Sequence, residues 1–274
     1  MAERGGLIPV SARSRLSIAL VSLVGIASFM WPLFIAPGSG LDDAGTAPLI
    51  LAALLPLFLV VVLAEMGRGG FDVKAIAMLG VLSAVGAALR PLGAGAGGLE
   101  TVFFLLVLAG RVYGPGFGFV LGATTLLSSA LLTGGVGPWL PFQMMASAWV
   151  GLGAGLLPRC RGRLEIALLV GYGALAGLAY GLIMNFSFWP FTVGMDNQLS
   201  YIPGAEVLDN LRRFVVFSVT TSLGWDLGRA LTNAVAILLV GPAVLSALRR
   251  IARRAAFGTV GTPRTTDRTV VHEQ

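Results

Sequence analysis

Apolar residues gather into eight long runs, at about 16–36, 48–64, 74–90, 97–112, 115–133, 140–157, 165–188 and 214–246. Most of the charged residues fall in the breaks between these runs or at their edges. A helix needs about 20 apolar residues to cross a bilayer, and shorter ones are tolerated. No run shows the ten-residue alternation of a lipid-facing barrel strand, so helices are left as the way to satisfy the backbone in lipid. The pattern predicts an all-α integral membrane protein with about eight transmembrane helices. The first run follows Arg13 and Arg15 in the manner of a secretion signal, but its 21 residues exceed such a core and no A-x-A site follows. It is expected to remain as a span. The fourth run is the weakest and is expected to borrow from the glycine-rich 92-LGAGAGG-98.

Inside the runs, small residues recur at every fourth position: Gly80-Ala84-Ala88, Gly114-Gly118-Gly122, Ser147-Gly151-Gly155 and Gly173-Gly177-Gly181. Such ridges let helix backbones approach closely where lipid supplies no hydrophobic drive. The first two runs lack a comparable ladder and are interrupted by Pro32 and Pro56. The expected organisation is therefore a six-helix core, 74–250, after an N-terminal segment, 1–73, with two peripheral helices. Residues 251–274 are expected to form a disordered cytoplasmic tail.

Composition agrees and narrows the function. Of 274 residues, 56% are hydrophobic and 12% charged, against about 25% charged in soluble domains. The net charge of +6 is dispersed between the runs, so membrane lipid rather than nucleic acid is its expected partner. Fifteen of the 19 Lys and Arg fall on one side of an eight-span topology, which predicts both termini in the cytoplasm. The run 249-RRIARR-254 is juxtamembrane charge suited to anionic lipid. One cysteine, Cys160, and one histidine, His272, leave no material for an intrachain disulfide, a His/Cys metal cluster or a triad. The single lysine, Lys74, precedes alanine, so no phosphate loop is present. No catalytic residue, metal or cofactor is expected.

The polar residues inside the apolar runs are the candidates for function. Asp226 and Arg229 are three apart on the last run and share a face with Ser222 and Asn233. Each intramembrane charge costs on the order of 3 kcal/mol, so the pair either locks this helix to its neighbours or faces a ligand cavity in the outer half. Asp226 is expected several turns into a long helix. The 47 residues from Val112 to Pro158 contain no charge, yet their central break, 134-GGVGPWLPFQMM-145, holds Trp139, two prolines and Gln143. Pro141 suits the first turn of a helix, and Gln143 just inside the membrane needs a partner. Trp139 fits an interfacial anchor or a stacking ring equally well. Arg90, Asn185 and Trp189 lie at the same end, with 186-FSFWPFTVGM-195 supplying an apolar lining. The stretch from Pro190 to Arg213 suits a lid or a plain solvated loop.

In 84-AVGAALRPLGAGAGGLE-100, 109-AGRVYGPGFGFVLG-122, 134-GGVGPWLPFQMM-145 with 151-GLGAGLLP-158, and 223-LGWDLGRALTNA-234, the chain resembles the S component of energy-coupling factor (ECF) vitamin transporters. The GPWLPFQ and GWDLGRA strings resemble the branch linked to cobalamin uptake. The resemblance covers the six-helix core and not the first two runs. It implies a bacterial cell-membrane subunit that captures a vitamin or precursor on the outer side. It further implies as partners a transmembrane coupling subunit and two cytoplasmic ATPases. Substrate contacts would come from Arg90, Trp139, Gln143, Asn185, Trp189, Asp226, Arg229 and Asn233. The coupling subunit would meet Gly80, Ala84 and Ala88, which match the family's small-xxx-small motif. A stand-alone secondary transporter with Asp226 carrying the coupling proton is the main rival. A membrane enzyme or a purely structural membrane protein stands further off.

Overall fold

In a computed structural model, residues 8, 11–30, 33, 56, 60, 71, 73–93, 96–191, 199–202 and 204–255 are described. Among the described residues there are eight α-helices and no strand: α1 (Ala12–Phe29), α2 (Val73–Gly93), α3 (Phe103–Tyr113), α4 (Pro115–Thr133), α5 (Leu140–Leu156), α6 (Arg163–Phe188), α7 (Val207–Thr221) and α8 (Leu223–Ala255). Among the described residues, six segments are long and apolar enough to cross a membrane: α1, α2, Ala96–Tyr113, α4, α6 and α8. The architecture is that of a multi-pass, all-helical membrane protein. The second apolar run, 48–64, lies outside the described residues except for Pro56 and Val60.

Two boundaries differ from the sequence pattern. The run 214–246 is split at Ser222, whose φ of −123° ends α7 one residue before α8 begins. The hydrogen bonds continue on both sides, from the Ser222 N–H to Ser218 O and from the Asp226 N–H to Ser222 O. Asp226 is consequently in the first turn of α8, not several turns down a continuous helix. The apolar run alone does not reveal such a break, because the hydroxyl side chains of 218-SVTTSLGW-225 are also compatible with an uninterrupted helix. The fourth run is likewise two pieces, a 3-10 turn at Ala96–Gly98 and the 11-residue α3. α8 also continues to Ala255, into the expected tail.

α3 is the hub. Leu106, Val107, Leu108 and Ala109 are fully buried, as expected for a helix that is apolar on every side. α4, α5, α6 and α8 surround it, α2 packs on α4, and α1 rests against α5 and α4. α1 is held there by the Trp149 Nε1–H, which donates to Ser22 Oγ at 3.0 Å, and by Phe29 edge-on to Phe142 at 5.0 Å.

The small-residue ladders explain how backbones come so close. A Cβ on Gly118 would collide with the Gly151 carbonyl, one on Gly122 with Ser147 O, and one on Gly155 with Pro115 N. These contacts zip α4 to α5. Gly173, Gly177 and Gly181 do the same for α6 against α8, meeting Ile237, Ala230 and Asp226 in turn. Gly114, at φ 107°, supplies the hinge between α3 and α4, a conformation that an L side chain rarely adopts. The fourth ladder differs: Gly80, Ala84 and Ala88 are all exposed, and a Cβ on Gly80 would meet nothing.

This contrast sets a stability test. Gly151→Val, which forces a branched side chain into the Gly118 backbone, is expected to destabilise the purified protein by roughly 3 kcal/mol or more. Gly80→Val should leave thermal unfolding in detergent within about 1 kcal/mol of the parent, because the site is open and valine costs a helix interior no more than glycine does.

Candidate functional site

The end of the bundle at which α2 finishes and α8 begins gathers most of the sequence-predicted polar residues. At its centre is Arg229. Its Nη1 donates to Asp226 Oδ1 at 2.7 Å, and its Nε donates to Glu100 Oε2. The remaining geometry is supplied by α6: Nη1 lies 3.4 Å from Gly177 O, and the guanidinium is 5.2 Å from the Tyr180 ring centroid. A Cβ on Gly181 would overlap the Asp226 carboxylate, so glycine there makes room for the ion pair against α6. Glu100 is carried by the loop after the Ala96–Gly98 turn. That turn fits α8 closely, with Gly98 against Trp225 O and Gly228 against Gly97 O. The Thr101 hydroxyl donates to Leu89 O and ties the same loop to the end of α2.

One residue beyond Leu89, the half-buried Arg90 has neutral partners. Its Nη2 donates to Gln143 Oε1 at 3.2 Å, and its Nη1 lies 3.5 Å from Ser129 Oγ. Gln143 occupies the first turn of α5, with Pro141 at the start of the helix as expected. The Arg90–Gln143 bond joins positions 53 apart in the chain. Glu100 and Asp226 thus both go to Arg229, and among the described residues no carboxylate is within salt-bridge distance of Arg90.

Two asparagines add unmet polar capacity. Asn185 Oδ1 accepts from Ser222 Oγ at 3.2 Å, while its Nδ2 has no partner among the described residues. Asn233, one turn along α8 from Arg229, is 0% exposed, and neither amide atom has a hydrogen-bond partner among the described residues. Such a group costs roughly 1–3 kcal/mol when buried unpaired.

The two tryptophans do not join this cluster. Trp139 is 52% exposed, and its ring folds back over Gly137 in the hairpin, which favours the interfacial reading. Trp189 is fully buried among Phe186, Phe214, Phe217 and Tyr201, and its indole N–H donates to Leu199 O at 2.6 Å. It is the core of an aromatic cap formed with α7. Part of the stretch expected to be a lid or loop is therefore helix, pinned by Asn210, whose amide clamps the Ile202 backbone at 3.1 and 2.9 Å. Residues 192–198 lie outside the described residues.

The reading of the sequence missed Glu100 and Tyr180. Glu100 bounds the weakest apolar run and reads as an ordinary edge residue; its signal was Arg229, a buried charge flanked by one acid on its own helix and in need of more. A second ionic cluster was missed at the opposite end: the buried Glu165 accepts from Arg111 Nε at 2.8 Å and from Arg249 Nη2 at 2.6 Å. Among the described residues no group of His, Cys, Asp and Glu is placed to hold a metal ion. Comparison with known proteins adds no relative: no family model matches the chain, and no curated protein or solved structure matches it.

Removing one member of a buried ionic set leaves the others uncompensated, so Arg229→Ala strands two carboxylates. It is expected to destabilise the purified protein by about 3–5 kcal/mol, read as a lowered thermal midpoint in detergent. A midpoint unchanged from the parent would mean that these charges are hydrated.

Proposed function

We propose that the chain is the substrate-capture subunit of an ECF-type importer, taking a vitamin or vitamin precursor, with cobalamin the first candidate. The observation that carries this reading is Arg90: a half-buried cation whose side-chain partners among the described residues are the neutral Gln143 and Ser129, beside a polar cluster assembled from α6, α8 and the Ala96–Gly98 turn. A guanidinium so placed is a ready donor for an acceptor group on a ligand. Substrate reaches it from the outer side, with Gln143 and Asn185 as further polar contacts. Asp226, Arg229 and Glu100 hold the frame rather than touch the ligand first, because the Arg229 guanidinium is already engaged by both carboxylates. The sequence resemblance supplies the transporter class, since no comparison does.

The partner surface is α2. Three of the four small-residue ladders are used inside the bundle, whereas Gly80, Ala84 and Ala88 face outward with the apolar Val81 and Val85 beside them. A transmembrane coupling subunit is assigned to this face, with two ATPases beneath it in the cytoplasm. The proton-coupled transporter retains one favourable observation: Glu100 and Asp226 share a single guanidinium, which leaves that trio one negative charge in excess. Uptake driven by a proton gradient, in vesicles holding this chain alone, would select that rival.

The test is uptake of radiolabelled cobalamin by the chain reconstituted with coupling subunit and ATPases. Arg90→Gln is expected to raise the half-saturating concentration about tenfold or more, the loss of one charge-assisted hydrogen bond. Ala84→Trp is expected to abolish uptake while the purified subunit keeps its ligand. Parental uptake by both variants would remove the site and the docking face together.

A further inference from the structure

A groove of about 910 Å³ opens between the first half of α6 and the second half of α8, at the end of the bundle remote from Arg90. Val170 on one side and Leu238 and Pro242 on the other give it apolar walls, while Arg163 and Arg249 stand at its mouth. From Arg249 down to Leu238 is eleven residues of helix, or about 16 Å. That is close to half of the roughly 30 Å hydrocarbon core, so the groove is one leaflet deep. Its rim carries excess positive charge. Arg111 and Arg249 share the single carboxylate of Glu165, which leaves that trio at +1. The exposed Arg163 adds a second positive charge, with no acidic partner within salt-bridge distance among the described residues.

We propose that this groove binds one anionic glycerophospholipid from the leaflet at the Arg249 end. The phosphate sits between Arg163 and Arg249, and one acyl chain lies along Val170, Leu238 and Pro242. Depth and charge together select this occupant. A partner helix would need a seam running the full thickness of the membrane, and a zwitterionic lipid, with no net charge, would gain less from the excess of two charges. Basic pockets between transmembrane helices recognise anionic headgroups by this combination of features.

The full chain, purified in a neutral detergent, is titrated with phosphatidylglycerol or phosphatidylcholine, and adducts are counted by native mass spectrometry. Phosphatidylglycerol is expected to bind at a concentration at least about fivefold lower than phosphatidylcholine, the effect of one arginine near a headgroup. Arg163→Gln, at an exposed position with no salt-bridge partner among the described residues, should erase most of that preference at an unchanged thermal midpoint. Leu238→Trp, which fills an exposed part of the wall, should weaken both lipids. Equal binding of the two lipids by the parent, or undiminished adducts in Leu238→Trp, would overturn the proposal. So would displacement of phosphatidylglycerol by millimolar inorganic phosphate, which would make the groove a site for the free anion. Capture of a protein rather than a lipid by a photo-crosslinker at position 238 in native membranes would reassign it to a protein partner.

Discussion

Taking a guanidinium and two carboxylates out of water costs several kcal/mol per ion, and the Arg90 end of this bundle is arranged to offset that cost. Arg229 reaches Asp226 on its own helix and Glu100 on the loop after α2, while Gly177 and Tyr180 of α6 complete its surroundings. The geometry requires α6 and α8 to lie backbone to backbone, which the glycines at 173, 177 and 181 permit. It also requires the Ala96–Gly98 turn to sit on the first turns of α8, which Gly98 and Gly228 permit. Charge pairing and glycine packing are therefore one constraint. The ions meet only because the helices touch, and the helices are held in that register by the ions.

The same constraint separates structural polar groups from available ones. Arg229 is saturated by carboxylates, and the opposite end repeats the device with Glu165 between Arg111 and Arg249. Arg90, Gln143 and the free amide of Asn185 are not saturated in this way. Under the proposed function, substrate capture would rest on the neutral-partnered residues, with the ionic trio as their scaffold. The exposed ridge on α2 stands apart from both, on a face that the bundle leaves uncovered.

Much of this was legible in the residues. Apolar periodicity placed α2, α4, α5 and α6 to within a few positions, because nothing in those runs competes with the helix. Arg90 and Gln143 are expected at one end, and the amide is expected to need a partner, but that the two bond each other emerges only from the structure. The break at Ser222 was hidden, since serine and threonine neither stop a helix nor mark a turn reliably when flanked by apolar residues. Glu100 was hidden because its partner is 129 positions away, and only three-dimensional proximity turns an edge carboxylate into part of the scaffold. The burial of Trp189 was hidden for a related reason: an aromatic at the mouth of a span reads as a ligand platform, and only the fold brings Phe214 and Phe217 against it.

Substrate capture is tested most directly by what the wild-type chain carries when gently purified. Mass spectrometry of the denatured eluate, together with a visible absorption spectrum of the intact protein, reads this out without a prior choice of ligand. The predicted result is one vitamin-like small molecule at near one-to-one stoichiometry, with a corrinoid spectrum if the first candidate is correct. An eluate that yields phospholipid and no other small molecule, from protein still folded by thermal unfolding, would contradict it.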